Sequence, residues 1–362
     1  MIALLCLLVW VYLVLAHGRF WRSTPQLSPA IPTLLPSVDI VVPARNEAAT
    51  IAAVIQSLLA QDYPGKFRVV LVDDDSSDGT AAAAGSDSRL EILRLNAKPP
   101  GWSGKLWAMS RGIAAGDAEL LLLTDADIVH DPRHVSTLVA AMQDLDRDMV
   151  SEMVKLNCMS WAERALVPAF VYFFQMLYPF ARVNDPKSTV AGAAGGTVLI
   201  RRAALQRIGG IESIRGALID DVTLAAAVKQ HGSIYLGHSV LAQSIRPYPH
   251  FIDIWRMISR TAFTQLRYSA ILLAATVAGM VLVWLAPVLE GVIDSGWRAA
   301  CGLTACGLAM MSYQPTLKRY GRNPGWALCL PLIALFYLAA TIASALDHWQ
   351  GKGASWKNRA YP

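Results

Sequence analysis

Residues 120–127 read LLLLTDAD, and this stretch decides the fold. Four consecutive leucines are typical of a strand that is buried on both faces, as in a parallel sheet. Two carboxylates, Asp125 and Asp127, follow it at positions i and i+2. Open parallel sheets bind their ligands at the carboxyl ends of their strands. The stretch therefore predicts an α/β fold with a functional site where this strand ends.

The surrounding sequence alternates short apolar runs with helical patterns. We predict strands over residues 38–42, 67–72, 90–95, 120–123 and 197–200. Helical periodicity covers residues 47–60, 105–115 and 218–231. Strands that alternate with helices indicate a mixed, mostly parallel, Rossmann-like sheet with flanking helices. We predict that this domain extends over residues 37–243.

The composition excludes several classes of protein. Of the 362 residues, 54% are hydrophobic and 16% are charged, whereas ordinary soluble domains carry roughly 25% charged residues. The chain is also too apolar to be disordered. Its net charge of +5 lies on no basic stripe, so an anionic membrane surface or a phosphate substrate is expected rather than nucleic acid. The five cysteines suit reduced thiols rather than a disulfide scaffold.

An apolar segment lies at the start of the chain. Residues 1–16 contain no polar side chain, and a basic and aromatic collar with Arg19 and Arg22 follows them. Residues 1–22 are therefore predicted to be an N-terminal membrane anchor, and a cleaved signal peptide is the alternative. Positive charge directly after the anchor predicts that the following domain is cytoplasmic.

Residues 270–346 are predicted to form C-terminal membrane helices. They contain the apolar runs 270–289, 299–313 and 326–346, and about 20 residues span a bilayer. Buried core helices are the alternative. Residues 347–362 form a basic tail, which three full crossings would place outside, so the sequence leaves the number of crossings open. It predicts a multi-pass protein of the inner, cytoplasmic membrane.

Acidic residues cluster at two further places. Residues 72–80 read VDDDSSDGT and include Asp73 and Asp74 at a strand end, where a carboxylate can accept a hydrogen bond from a base or ribose. A solvated acidic turn is the alternative. Asp220 and Asp221 open the last predicted helix. Adjacent carboxylates can raise the pKa of one of them, which suits a general base, although a favourable interaction with the helix dipole is the simpler explanation.

Two basic side chains stand at predicted helix starts. Residues 101–105 read GWSGK and present Lys105 where it can contact a diphosphate. Residues 43–47 read PARNE, in which we expect Arg45 to meet a phosphate and Glu47 to complement the helix N-terminus.

Asp125 and Asp127 can converge on one hard cation such as Mg²⁺ or Mn²⁺.

Glycines and histidines have simpler interpretations. Residues 192–196 read GAAGG, which either admits a ligand close to the backbone or forms a tight loop. His130 and His134 flank the pair Asp131-Pro132, which suits a helix start, and we interpret both histidines as surface residues.

The motifs occur in the order PARNE, VDDDSSDGT, GK, DAD, a glycine-rich segment and DDVTL. As an ordered set they resemble the family 2 glycosyltransferases of the GT-A fold over residues 37–243. The stretches 184–187 (NDPK), 215–221 (RGALIDD) and 255–263 (WRMISRTAF) are similar to the hopene-associated glycosyltransferases of bacterial hopanoid biosynthesis.

The resemblance implies an inverting transfer from a nucleoside-diphosphate sugar, usually linked to UDP, with a divalent metal ion. Asp74, beside Asp73, would hold the uracil or ribose. Asp127, helped by Asp125, would hold Mg²⁺ or Mn²⁺ on the diphosphate. The base that deprotonates the acceptor hydroxyl would be Asp221, beside Asp220. The nucleotide pocket would be framed by Pro43, Arg45 and Glu47.

The sequence departs from the family pattern at two places. Asp75 stands where the family often has glycine, and residues 257–261 read MISRT in place of the QxxRW motif of processive members. The second departure favours a single addition over polymer synthesis. Residues 250–268 are predicted to be an interfacial amphipathic segment that holds the site near a membrane lipid acceptor, a hopanoid or its polyol side chain. A buried core helix is the alternative.

Three other functions are alternatives to this one. Another lipid or a polyprenyl phosphate is a second class of acceptor. A sugar nucleotidyltransferase would need a basic, glycine-rich triphosphate loop near the first strand, which residues 43–47 do not provide. A membrane scaffold with a degenerate domain is disfavoured because the acidic residues of all three motifs are present.

Overall fold

The computed structural model describes residues 1–352 together with the backbone of residues 355–356 and 359–360. The chain forms two compact units. The sheet unit comprises Thr24–Asn157, Arg182–Arg246 and Ser355–Pro362, and the helical unit comprises Met1–Ser23, Cys158–Ala181 and Pro247–Ala354. The helical unit thus includes a segment from within the predicted domain of residues 37–243.

The sheet unit is built on a sheet that has eight strands among the described residues, in the order β3-β2-β1-β4-β7-β6-β8-β5. The strands are β1 (Val38–Ala44), β2 (Phe67–Asp74), β3 (Leu90–Leu95), β4 (Leu120–Thr124), β5 (Ile128–His130), β6 (Met149–Lys155), β7 (Thr197–Arg201) and β8 (Ile234–Ser244). The first four strands in this order run parallel, β7 is antiparallel to both of its neighbours, and β6 and β8 are parallel. The prediction of a mixed, mostly parallel α/β sheet is confirmed.

The core explains why these segments form strands. Every residue of β1 and β4 is buried, including Pro43, which lies inside β1 although the sequence predicted that it ends the strand. The four leucines of β4 are all buried, as expected of a strand without polar alternation.

Helices flank the sheet. They are α2 (Ile51–Leu59), α3 (Thr80–Ala83), α4 (Gly104–Ala114), α5 (His134–Asp144), α8 (Arg202–Arg207), α9 (Asp220–Lys229) and a 3₁₀ turn (Ile211–Ile214); α7 (Phe180–Asn184) is a further short helix. The first of them begins four residues later than predicted, because Thr50 Oγ1 donates to the carbonyl of Ala126 at 2.9 Å and holds residues 47–50 in a turn. Glu47 therefore does not lie at the helix N-terminus.

The helical unit contains the remaining helices. They are α1 (Ile2–Leu15), α6 (Trp161–Leu177), α10 (Phe251–Ser259), α11 (Ala262–Gln265), α12 (Ala270–Met280), a π-helical turn (Val281–Leu285), α13 (Ala286–Ile293), α14 (Gly296–Arg319), a 3₁₀ turn (Pro324–Cys329) and α15 (Leu330–Trp349). Two-residue strands β9 (Ser355–Trp356) and β10 (Arg359–Ala360) pair antiparallel near the end of the chain.

Two helical segments among the described residues are long and apolar enough to cross a membrane, namely Ala270–Ile293 and Pro324–Trp349. The helix Ile2–Leu15 is apolar but shorter. The predicted run 299–313 lies inside α14. Of the basic tail predicted at residues 347–362, residues 353–354, 357–358 and 361–362 lie outside the described residues.

Candidate active site

The site lies where β1, β2 and β4 end. These strands are parallel neighbours, and Ala44 pairs with Asp73. Their carboxyl ends therefore bring residues 45–47, the acidic turn after β2 and the Asp125–Asp127 turn to one edge of the sheet, as the sequence predicted.

Lys105 connects two acidic motifs that are far apart in the sequence. It lies in the first turn of α4, and its Nζ is 2.8 Å from Asp125 Oδ1 and 3.0 Å from Asp220 Oδ2. Removal from water lowers the pKa of Lys105, but the carboxylates of Asp125 and Asp220 raise it to well above its usual value. The Lys105 amine is therefore permanently charged. It is paired with two carboxylates, whereas the sequence suggested an amine free to contact a diphosphate.

Asp221 is held by backbone donors. Gly195 N–H donates to its Oδ2 at 2.7 Å, and Val222 N–H donates to its Oδ1 at 2.8 Å. Removal from water and then the charge of Asp220 raise the pKa of Asp221 to about 7, although Lys105 and the two backbone donors oppose the rise. A carboxyl with this pKa exists in both protonation states near neutral pH.

The glycine-rich segment makes this contact possible. A Cβ atom at position 195 would lie 3.2 Å from Asp221 Oδ2 and 3.4 Å from Lys105 Nζ. Glycine thus lets the backbone approach two charged side chains of the site. Side chains approach the backbone at position 195, while approach of a ligand to residues 192–196 stays a prediction.

Asp127 is paired with a residue that the sequence analysis missed. Arg246, which follows β8, places Nε 2.6 Å from Asp127 Oδ2 and Nη2 2.5 Å from Glu47 Oε1. Arg246 lies three residues beyond the predicted domain end at 243. The signal available in the sequence was its position directly after an apolar strand, ahead of Pro247.

The residues predicted to bind the nucleotide lie around the turn that follows β2. The Arg45 guanidinium donates to the carbonyls of Asp74 and Asp75, and the second of these contacts measures 3.0 Å. The Asp74 side chain is fully buried, whereas that of Asp75 is 56% exposed. The turn is therefore only in part the solvated acidic turn that the sequence left open.

A cavity of about 290 Å³ opens beside this turn. Its polar lining comes from the acidic turn and from the end of β3, and includes Asp73, Asp75, Ser76, Arg94 and Asn96. Both hydrogen-bond donors and acceptors therefore face the cavity, as recognition of a nucleobase or ribose requires.

The acidic pair Asp125 and Asp127 has part of the chemistry that a divalent metal ion needs. Asp125 and Asp127 supply the hard oxygens that Mg²⁺ and Mn²⁺ prefer. One oxygen of each carboxylate already faces a cation, Lys105 or Arg246. No group of three or more His, Cys, Asp or Glu side chains suited to a metal ion occurs among residues 1–352. The pair fits such an ion only if oxygens from a bound ligand complete its coordination.

The prediction of surface histidines is wrong. His130 is 3% exposed and His134 is fully buried. The rings stack, and His134 contacts Glu152 on β6, a partner 18 residues away that no local pattern shows.

The comparisons with known proteins agree with this geometry. Residues 39–209 match the family profile described as glycosyl transferase family 2. An N-acetylglucosaminyltransferase of Neorhizobium galegae is 37% identical over 130 residues, which are 34% of this chain and 29% of the relative. A beta-monoglucosyldiacylglycerol synthase of Trichormus variabilis is 37% identical over 119 residues, 32% of this chain and 24% of the relative. The chain spans less than a third of the length of either relative.

One solved structure covers almost the whole chain. A mannosyltransferase from Pyrobaculum calidifontis, determined in complex with GDP-Man and Mn²⁺, superimposes with a TM-score of 0.58 at 21% identity, covering 97% of this chain and 100% of that one. At this identity the likeness shows a shared fold. The sheet topology, the family match and this likeness together identify residues 39–209 as a glycosyl transferase family 2 domain of the GT-A fold.

Proposed function

We propose that the protein is a membrane-bound, inverting glycosyltransferase that moves one sugar from a nucleoside-diphosphate sugar to a lipid acceptor. The observation that carries this proposal is the ion pair of Lys105 with Asp125 and Asp220. It brings the acidic turn after β4 next to Asp221, so a donor diphosphate and an acceptor hydroxyl can meet in one site.

Asp221 is the proposed base. The acceptor oxygen bonds to the anomeric carbon, the bond from that carbon to the diphosphate oxygen breaks, and the diphosphate leaves with the electron pair. Asp221 takes the hydroxyl proton. Its pKa of about 7 suits this task, because a general base works best with a pKa near the operating pH. Asp220 supports the base by raising this pKa and by holding Lys105.

The donor is proposed to lie along the ends of β1, β2 and β4. Asp73, which lines the cavity of about 290 Å³, would bind the base or ribose together with its neighbour Asp74, which is buried and would have to become accessible to the donor. Pro43, Arg45 and Glu47 frame the pocket, and Lys105 would face the diphosphate. UDP is the proposed carrier, on the resemblance described above, although the mannosyltransferase of the same fold was solved with GDP-Man.

A divalent ion, Mg²⁺ or Mn²⁺, is proposed to be held by Asp127 and Asp125 together with oxygens of the donor. When bound there, it would neutralise charge on the departing diphosphate. The same-fold mannosyltransferase was solved with Mn²⁺. Arg246 and Lys105 supply positive charge at the two carboxylates from the chain itself.

A membrane lipid is the proposed acceptor. The chain carries two helices long and apolar enough to span a bilayer, and one relative is named a beta-monoglucosyldiacylglycerol synthase. Residues 250–268 would form the interfacial segment: α10 exposes Phe251 and Arg256 while Ile254 and Ile258 are buried, and Arg260, which follows the helix, is also exposed. A hopanoid is the proposed lipid, on the similarity of residues 184–187, 215–221 and 255–263. The sheet unit would face the cytoplasm at the inner membrane.

The test is transfer by the full-length protein in nanodiscs. Radiolabelled UDP-glucose, UDP-N-acetylglucosamine and GDP-mannose are each offered with Mg²⁺ or Mn²⁺ and with hopanoid, diacylglycerol or polyprenyl phosphate. Products are identified by mass spectrometry. We expect a singly glycosylated hopanoid from a UDP-sugar, and Asp221→Asn should lose transfer while it retains nucleotide binding.

The control is Asp144→Asn, an exposed acid-to-amide change at the end of α5, which should transfer at the wild-type rate. A product on another lipid would refute the hopanoid assignment and keep the glycosyltransferase. Release of pyrophosphate from a sugar phosphate and UTP would instead establish a nucleotidyltransferase. Normal turnover by Asp221→Asn would remove that residue from the role of base.

A further inference from the structure

A chain of hydrogen bonds connects β6 to the glycine-rich segment. Glu152 Oε2 lies 3.0 Å from His134 Nε2, and His134 Nδ1 lies 2.7 Å from His130 Nδ1. His130 Nε2 lies 3.0 Å from Thr124 Oγ1, which lies 2.8 Å from the carbonyl oxygen of Gly196. All four side chains are at least 97% buried.

The Gly196 end fixes the direction of the hydrogen bonds from Thr124 back to His134. A carbonyl only accepts, so the Thr124 hydroxyl donates to Gly196 and accepts from His130 Nε2–H. Burial and the neighbouring His134 hold the pKa of His130 well below its usual value, so the ring is neutral and its Nδ1 accepts from His134 Nδ1–H. His134 Nε2 faces Glu152 Oε2 at the far end of the chain of hydrogen bonds. The chain cannot run in the opposite direction.

The last two members of this chain of hydrogen bonds, Thr124 and Gly196, lie on the two segments that carry the candidate site. Thr124 directly precedes Asp125, and Gly196 directly follows Gly195, whose N–H donates to Asp221. A second buried contact holds the same segment, since Ser151 Oγ donates to the Ala194 carbonyl at 3.1 Å and accepts from Ala194 N–H at 2.9 Å.

We propose that His130 is a positioning residue, which through Thr124 fixes the Gly196 carbonyl and thereby the Gly195 N–H that orients Asp221. The Gly195 N–H and the Gly196 carbonyl belong to the peptide units on either side of the Gly195–Gly196 peptide. Neither glycine has a side chain to restrict rotation between these units, so hydrogen bonds must set their orientation. This inference rests on the proposed role of Asp221, and the experiment below judges the two separately.

Three variants separate positioning from simple stabilisation. His130→Leu removes both hydrogen bonds of the ring. His130→Gln keeps them, because an amide nitrogen can donate to Thr124 while the amide oxygen accepts from His134. Thr124→Val removes the last hydroxyl but leaves both histidines. His231→Leu, at an exposed histidine, is the matched control.

The first readout is hydrogen exchange of the peptide that contains residues 192–196, measured by mass spectrometry on the full-length protein in detergent. We expect faster exchange at the Gly195 amide in His130→Leu and Thr124→Val, and wild-type exchange in His130→Gln and His231→Leu. Unchanged exchange in both disruptive variants would overturn the proposal.

The second readout is steady-state transfer. We expect kcat to fall about 10- to 100-fold in the two disruptive variants with donor KM within about twofold, since small misplacements of a catalytic group reduce rates by this order. A double variant that combines His130→Leu with Thr124→Val should have a kcat no lower than that of either single variant. A loss of rate that follows the unfolding temperature, without rescue by glutamine, would show a merely structural role.

Two further outcomes are distinguishable. If the wild-type protein transfers no sugar, the proposed function fails, and the exchange result alone decides whether His130 fixes the Gly195 N–H. If His130→Leu does not fold, Thr124→Val compared with Thr124→Ser gives the same decision, because serine keeps the hydroxyl.

Discussion

At the scale of single residues, charge pairing organises the site. Lys105 faces two carboxylates, Arg246 faces two others, and Asp221 is held by backbone donors. Cations and N–H groups of the chain thus offset much of the negative charge that the acidic motifs bring together. The pKa of Asp221 stays high because the carboxyl is removed from water and because Asp220 lies beside it.

The rate of transfer should rise with pH. Below about pH 7 the Asp221 carboxyl is protonated and cannot accept the hydroxyl proton, so kcat should fall about tenfold per pH unit on the acid side and level off above pH 7. The measurement is kcat at saturating donor between pH 5 and 9. Asp144→Asn should give the same curve, and a flat acid limb would contradict the assignment.

Stability should depend on pH in the opposite direction. The pKa of Asp221 is raised in the folded protein, so the native state favours its proton and loses stability as pH rises through about 7. Asp221→Asn lacks this ionisation and should gain in unfolding temperature relative to wild type at pH 8 more than at pH 5. Equal differences at both values would show that the carboxyl titrates alike in folded and unfolded chains.

Arg246 should compete with a divalent ion for Asp127. Arg246→Ala removes a cation 2.6 Å from Asp127 Oδ2, so affinity for Mn²⁺ in the presence of saturating UDP should increase about 3- to 10-fold, as a partly exposed ion pair is worth roughly 1 kcal/mol. Electron paramagnetic resonance of free Mn²⁺ measures this directly. Asp127→Asn should weaken binding in the same titration, and unchanged affinity in Arg246→Ala would refute the competition.

At the scale of elements, the strands were predictable and the contacts between their ends were not. The leucine run of β4 and the apolar runs of β1 and β2 specify buried parallel strands on their own. The late start of α2 was not visible, because it depends on Thr50 reaching Ala126 across the chain. The pairing of Arg246 with Glu47 joins residues 199 positions apart and depends on the sheet order.

The sequence indicated the carboxylates that follow strands, because parallel strands bring their ends to one edge of the sheet. The two buried histidines were misinterpreted. Pro132 indicates that a helix starts there, but it does not indicate that β6 packs against this helix. The resemblance to a family 2 glycosyltransferase of the GT-A fold is confirmed for the domain, while the roles of individual residues stay predictions.

The glycine-rich segment should be sensitive to a single methyl group. Gly195→Ala places a Cβ 3.2 Å from Asp221 Oδ2, so the carboxylate has to shift, and kcat should fall about tenfold or more with little change in unfolding temperature. Gly307→Ala, in α14 with no atom within 4 Å of the added carbon, is the matched control. Equal activity of the two variants would mean that Asp221 tolerates the shift.

At the scale of the whole molecule, the chain passes repeatedly between its two units. The segment Cys158–Ala181 belongs to the helical unit although sheet-unit residues flank it on both sides. Its Tyr172 Oη bonds Ser312 Oγ at 2.6 Å, and Gln175 Nε2 donates to the carbonyl of Phe20 at 2.7 Å. This unit therefore depends on residues from the beginning, middle and end of the sequence.

A truncated protein of residues 37–243 should fold poorly. It keeps α6 but loses Phe20 and Ser312, so buried polar groups lose their partners at about 1–3 kcal/mol each, and apolar surface becomes exposed. Size-exclusion chromatography should show aggregates, whereas the full chain in detergent elutes as one species. A monodisperse, nucleotide-binding fragment would contradict this expectation.

The bridge made by Lys105 has a consequence for anyone who wishes to redesign the enzyme. One ammonium group serves as the common counter-ion of an aspartate after β4 and of another at the start of α9, so the three positions form a single electrostatic unit. Replacing any one of these three residues leaves the charge of the others without its full balance. New donor preferences are therefore best sought by exchanging the trio together, and libraries that vary these sites one at a time will miss the workable combinations.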